Sequence, residues 1–130
     1  MDPQTRDALA EWARLFNRGE YFEAHEVLER PWLGAVEPEK TFLKGLIHAA
    51  VCLYQYRRGN GHGARAKYAS CVRYLAPYQP RFGGVQVEDL VGQLGRFFGP
   101  LVASPPGTAP PPPTAPWPSI RLEPAEAAAD

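Results

Sequence analysis

Three residues in the stretch Tyr21–Trp32, YFEAHEVLERPW, have the types and spacing for acid–base or metal chemistry: His25, Glu26 and Glu29. Together they form an H-E-x-x-E string. On a helix, His25 and Glu29 stand at i and i+4, so an imidazole and a carboxylate can share a proton or reach one ion. Adding His48 gives two imidazoles and a carboxylate, a ligand set that suits zinc or ferrous iron when coordination positions stay open. Glu26 would then be the general base of a hydrolase-like reaction. The zinc-protease string ends in histidine where this chain has Glu29, and the paired Glu-x-x-His elements of di-iron bundles are absent. The competing reading is a buried hydrogen-bonded network. In it His25 pairs with Glu29, and Glu26 reaches Lys44, Tyr54 or Tyr68.

The network reading rests on burial. At about 100° per residue, Trp32, His25, Glu29, Phe22 and Glu26 fall within roughly 120° of one another on a helical wheel. The arc expected to bury Phe22 and Trp32 therefore carries the imidazole and two carboxylates as well, and buried charges must be paired, protonated or metal-bound.

A second set of candidates lies in RGNGHGARAK, Arg58–Lys67, with three glycines, a helix start and several cations. Backbone N–H groups there, with Arg58, Asn60, Arg65 and Lys67, could receive a phosphate or carboxylate. P-loop spacing is absent, and the plainer reading is a tight turn between helices. Cys52 and Cys71 fall on apolar faces and read as small core residues instead of reactive thiols.

Several elements must position these residues. Asp2-Pro3 reads as an N-cap and first helical position, and Leu9, Trp12, Ala13 and Phe16 recur at helical spacing up to the stop at Arg18-Gly19. The H-E-x-x-E helix follows at once, and Pro31 is expected to limit or kink it. Leu33–Val36 reads as a loop. Glu37-Pro38-Glu39 opens a third helix that runs to about Arg58. Its apolar residues cover most of its circumference, which makes it the central, buried helix, with Lys44, His48 and Gln55 in a narrow polar stripe. Gly59 and Asn60 supply a C′ glycine and an N-cap, so the third and fourth helices form an antiparallel hairpin. The fourth helix is expected over Gly63–Leu75, ended by Pro77 and Pro80. A fifth spans Glu88–Phe98, stopped by Gly99-Pro100.

The chain has 130 residues, 45% of them hydrophobic, which is enough for one domain with a real core. The expected fold is all-α, a compact bundle of about five helices over residues 1–103. From 104 to 130 the composition shifts: nine of the fifteen prolines lie here. This proline-rich tail reads as extended and unable to form a core of its own. Within it Trp117, Ile120 and Leu122 mark 117–122 as a docking segment, onto this body or onto a neighbour.

Formal charge is zero, with 14 basic and 14 acidic residues. That argues against a general nucleic-acid binder. MDPQTRDALAEW has acids and no apolar core of a signal peptide, and the longest apolar run, Phe42–Tyr56, is too short for a bilayer. With two cysteines and no secretion signal, the expectation is a soluble cytoplasmic protein with reduced thiols.

YFEAHEVLERPW, then FLKGLIHAAVCLYQYRRGNGHGA, then Gly84-Val85, together resemble the domain of unknown function family numbered 309, over about residues 5–95. The resemblance implies a compact all-helical bundle. It carries the HExxE helix onto His25, Glu26 and Glu29 and the GN turn onto Gly59-Asn60. Family members often have glutamine where this chain has His48, and the proline-rich tail lies outside the resemblance. No activity comes with the family. The functional expectation is a binding or interaction module with a His-Glu polar network, meeting a second copy or a protein partner through the tail. The alternative is a metal-dependent, hydrolase-like enzyme using the HExxE helix with zinc or iron.

Overall fold

The computed structural model describes residues 1–123, and the last part of the expected tail, 124–130, lies outside the described residues. Five helices are laid out in chain order: α1 Pro3–Asn17, α2 Tyr21–Gly34, α3 Glu39–Arg57, α4 Gly61–Leu75 and α5 Val87–Ala103, with a 3-10 turn at Ala76–Tyr78. Among the described residues there is no β-strand, only isolated bridges pairing Val85 with Phe82 and with Leu122.

Local signals account for most boundaries. The Asp2 carboxylate accepts the Thr5 N–H at 2.7 Å and so caps α1. Glu37 accepts the Thr41 N–H at 2.8 Å at the start of α3, and Asn60 accepts the Gly63 N–H at 3.0 Å at the start of α4. Between those two helices Gly59 takes φ +82°, a left-handed conformation that a side chain would strain.

Helix α3 is central, packed against α2 on one side and α4 on the other, while α1 packs on α2 and α5 on α4. Phe42, Leu43, Leu46, Ala49, Ala50, Cys52 and Leu53 are all fully buried. The α3–α4 contact is close because Gly45 has no side chain. A Cβ placed there would stand 2.5 Å from Leu75 Cδ2.

Neither Pro31, expected to limit or kink its helix, nor Pro100, expected to stop the fifth, ends the helix it lies in. Helix α2 continues through Pro31 to Gly34, and α5 continues through Pro100 to Ala103. A proline in the last turn forfeits one backbone bond, and packing outweighs that loss. In α5 the turn beyond Pro100 buries Leu101 completely. Its free carbonyl end is also held from outside, because the Arg65 guanidinium donates to the Leu101 carbonyl at 3.0 and 3.2 Å. Helix α4 begins at Gly61, two residues before the expected start, because Asn60 already serves as its cap.

The tail leaves α5 in extended form and returns across the bundle. Ile120 is buried at 5% exposure, and Trp117 and Leu122 pack half-buried against the core. The docking segment 117–122 thus lies on this chain's own body.

Candidate functional site

Helix α2 buries Tyr21, Ala24 and Leu28, the i, i+3, i+7 stripe of one helical face. That stripe lies roughly 100° round the wheel from the arc centred on Glu29 and Phe22. The expectation that the HExxE face is buried is therefore corrected. Phe22 is 43% exposed, Glu26 and Glu29 are exposed, and His25 and Trp32 are half-buried at the flank. The reason is size: Ala24 lets α2 approach its neighbours closely, whereas Phe22 and Trp32 fit only at the border.

Within this face His25 and Glu29 do pair, Nε2 to Oε1 at 3.1 Å. The other ring nitrogen, Nδ1, donates to the Phe22 carbonyl. Both nitrogens of His25 thus face oxygens that accept, and neither is free for an ion. The ring also meets the edge of Phe22 at 4.8 Å, and Phe22 in turn meets Tyr54 at 5.4 Å. Glu26 finds none of its expected partners: Tyr54 carries Arg58 over its ring, Tyr68 stacks on Phe98, and Lys44 lies over Tyr74.

His48 stands elsewhere, edge-on to Tyr74 at 5.4 Å between α3 and α4. Among the described residues, no group of three or more His, Cys, Asp or Glu side chains could hold a metal ion. The expected trio of His25, Glu29 and His48 is therefore not assembled. Both thiols are core groups, as the sequence suggests. Burial pushes Cys71 up to about 12 and Cys52 well above its ordinary value, and the Cys52 thiol donates to the Ala49 carbonyl at 3.1 Å.

Three of the four anion-binding candidates have structural work. Asn60 caps α4 with its oxygen and donates to Gln55 at 3.0 Å with its nitrogen. Arg58 rests over Tyr54. Arg65 donates to the carbonyls of Leu101, Ser104, Pro105 and Thr108, gathering the end of α5 and the start of the tail.

The fourth, Lys67, belongs to a cluster the sequence reading did not assemble. Lys44 and His48 stand one turn apart on α3, facing Lys67, Arg73 and Tyr74 of α4. Lys44 Nζ lies 5.0 Å and Arg73 Cζ 5.1 Å from the Tyr74 ring centre. Hydrogen bonding from Arg73, then from Lys44, holds the Tyr74 phenol below its usual value. Burial first, then Lys67, Lys44 and Arg73, push His48 down to about 4. Its Nδ1 is buried without a partner. Among the described residues none of the three cations is ion-paired. A sequence signal for this face exists: from Glu39 to Leu75 the chain carries seven lysines and arginines and a single acid, Glu39 itself. Zero net charge over the whole chain conceals that excess.

The stretch from Leu9 in α1 to Ala66 in α4 matches one family model. That model is DUF309, a domain of unknown function. The match holds α2, α3, the HExxE string, Lys44 and His48; Lys67, Arg73, Tyr74, α5 and the tail lie beyond it. The chain is also 28% identical over 94 residues to an uncharacterized protein of Aquifex aeolicus, covering 72% of this chain and 28% of that protein. It is 40% identical over 57 residues to the uncharacterized protein YpuF of Bacillus subtilis, covering 43% of this chain and 33% of that one. It therefore spans a third or less of the length of these two relatives. No helix among the described residues is long and apolar enough to cross a membrane.

Proposed function

We propose that this chain is a non-catalytic binding module whose α3–α4 face takes a phosphate-type oxyanion. The observation that carries the reading is the trio Lys44, Lys67 and Arg73, which is gathered around a neutral imidazole and a phenol with no carboxylate among the described residues paired to it. Cations held close together without a counter-charge repel one another, and an anion placed among them removes that repulsion. The Tyr74 phenol, whose ionised form Arg73 and Lys44 favour, marks where an anionic oxygen would sit. Lysine and arginine beside a planar ring are donors suited to phosphate. The metal-dependent hydrolase reading would need a third ligand beside His25 and Glu29, and no described residue supplies it.

The test is a titration of the full chain with inorganic pyrophosphate, followed through the His48 ring protons and the amide signals of α3 and α4. The expected result is saturable binding that shifts those signals and raises the pH at which His48 titrates. Added salt should weaken binding, and Lys67→Gln or Arg73→Gln should weaken it at least tenfold. Equal shifts in wild type and both variants, or shifts confined to other helices, would refute the site.

A further inference from the structure

The way the tail is held points to a second surface, separate from the α3–α4 face, formed partly by α1 and α2 and partly by α5 and the tail beyond the stretch matched to DUF309. Two side-chain amides read two consecutive tail residues through their backbone. Gln93 of α5 donates to the Ser119 carbonyl at 2.8 Å and accepts the Ser119 N–H at 2.9 Å. Asn17, the last residue of α1, does the same for Ile120, donating to its carbonyl at 2.9 Å and accepting its N–H at 2.6 Å. A primary amide has a donor and an acceptor at the spacing of a peptide unit, so each grips an extended chain whatever its side chain. The Glu123 N–H then bonds the Gly84 carbonyl at 2.8 Å, continuing the contact beyond Leu122.

Pockets between these grips select the side chains. Trp117 enters an aromatic slot, 4.6 Å from Phe97 and 5.8 Å from Tyr21. Ile120 is buried, and Leu122 pairs with Val85. Backbone grips with side-chain pockets between them make up a recognition groove for an extended peptide. Beside it a cleft of about 310 Å³ opens between Gln93 and Phe97 of α5 and the tether at Pro113, Ala115 and Pro116.

We infer that this groove is a receptor for the segment Trp117–Glu123 and that it accepts the same segment from a second copy of the chain. What favours a second copy is the tether. Arg65 fixes the chain as far as Thr108, and eight residues, 109–116, then lead to Trp117, five of them proline. At about 3.1 Å per residue in a polyproline-II conformation they can span roughly 25 Å, enough to cross to a neighbouring molecule. Among the described residues, the backbone grips and the contacts of Trp117, Ile120 and Leu122 join only residues 117–123 to the body, so they are the same whether the segment arrives in cis or in trans. The cis segment wins at low concentration only because its tether gives it an effective concentration of about millimolar.

Two full-length variants separate the roles. Trp117→Ala/Ile120→Ala keeps the groove and spoils the segment; Asn17→Ala/Gln93→Ala keeps the segment and spoils the grips. In an equimolar mixture the first should capture the tail of a wild-type chain bearing a fluorescent label at residue 114, forming a complex of two chains. The apparent affinity should be at least tenfold tighter than that of wild type for the same labelled chain, because its own segment no longer competes. The second variant, offered the same labelled chain, should capture none. Circular dichroism checks that each variant keeps its helices. If the first variant does not, Ile120→Pro replaces it, deleting the N–H that Asn17 accepts while leaving the bundle untouched. A helical receptor variant that stays monomeric with labelled chain present, or a grip variant that captures as well as the receptor does, would overturn the inference.

Discussion

Replacing His48 by glutamine should make the protein less sensitive to acid. In the folded chain the ring is neutral down to about pH 4, held there by burial and by Lys67, Lys44 and Arg73; among the described residues no carboxylate is paired to any of these cations. In the unfolded chain the ring titrates near its ordinary value of about 6.5. Between these two values the unfolded state binds a proton that the folded state refuses, so stability falls as pH drops from about 6.5 to about 4 and is level above that window. The full shift of about 2.5 units corresponds to about 3.4 kcal/mol at 1.36 kcal/mol per unit. Because the ring is only partly buried, solvent screening reduces this to about 1–2 kcal/mol. Urea unfolding at about pH 7 and about pH 4.5 measures it: wild type should lose about 1–2 kcal/mol more than His48→Gln over that interval. Asp2, Glu11 and Glu37, held low by Thr5, Arg14 and Thr41 respectively, also lose support on the acid side, but equally in both proteins. An identical pH dependence for the two would refute the reasoning.

Gly45→Ala should cost about 1–3 kcal/mol in the same assay, since Leu75 is fully buried and has no room to yield to a Cβ at 2.5 Å. It should also weaken pyrophosphate binding, because after Leu75 the next residue in contact is Tyr74, its Cβ at 3.3 Å. Glu29→Ala should cost no more than about 0.5 kcal/mol, close to Glu23→Ala, because the Glu29 side chain is 52% exposed and its pair with His25 is of the surface i,i+4 kind. A loss of several kcal/mol from Glu29→Ala alone, measured by urea unfolding, would mean that the carboxylate is buried after all.

The helices were legible because their signals are local. Asp2, Gly19, Gly59 and Asn60 each act within three or four residues, and Leu46 and Leu53 belong to a helix apolar on nearly every side. Pro31 and Pro100 misled for the opposite reason. What carries the chain past Pro100 is the buried side chain of Leu101 and a guanidinium 36 residues away, and neither is a property of the local sequence. The HExxE string misled because a helical wheel gives angles and no reference direction. Bulk suggested that Phe22 and Trp32 point inward, but Ala24 decided the rotation by being small. The cationic cluster was illegible because it is made across two helices, by Lys44 and His48 from one and Lys67, Arg73 and Tyr74 from the other. The tail was half legible: Trp117, Ile120 and Leu122 announce docking, while nothing in their spacing names Asn17 and Gln93 as the groups that hold them.

The clasp between Asn17 and Ile120 joins residues 103 positions apart, whereas the α3–α4 hairpin turns within Arg58–Asn60. Closing a long loop costs more entropy than closing a short one, and distant pairings form more slowly than neighbouring ones. During synthesis the walls of the groove, Tyr21 and Phe97, precede the segment that fills it, because chains are made from the amino end. For as long as the ribosome takes to add the intervening residues, roughly one to five seconds at 5–20 residues per second, a nascent chain presents an open aromatic slot. On a crowded polysome, the tail that first reaches such a slot can come from the finished chain ahead. Cis and trans docking would then be sorted by time as well as by concentration.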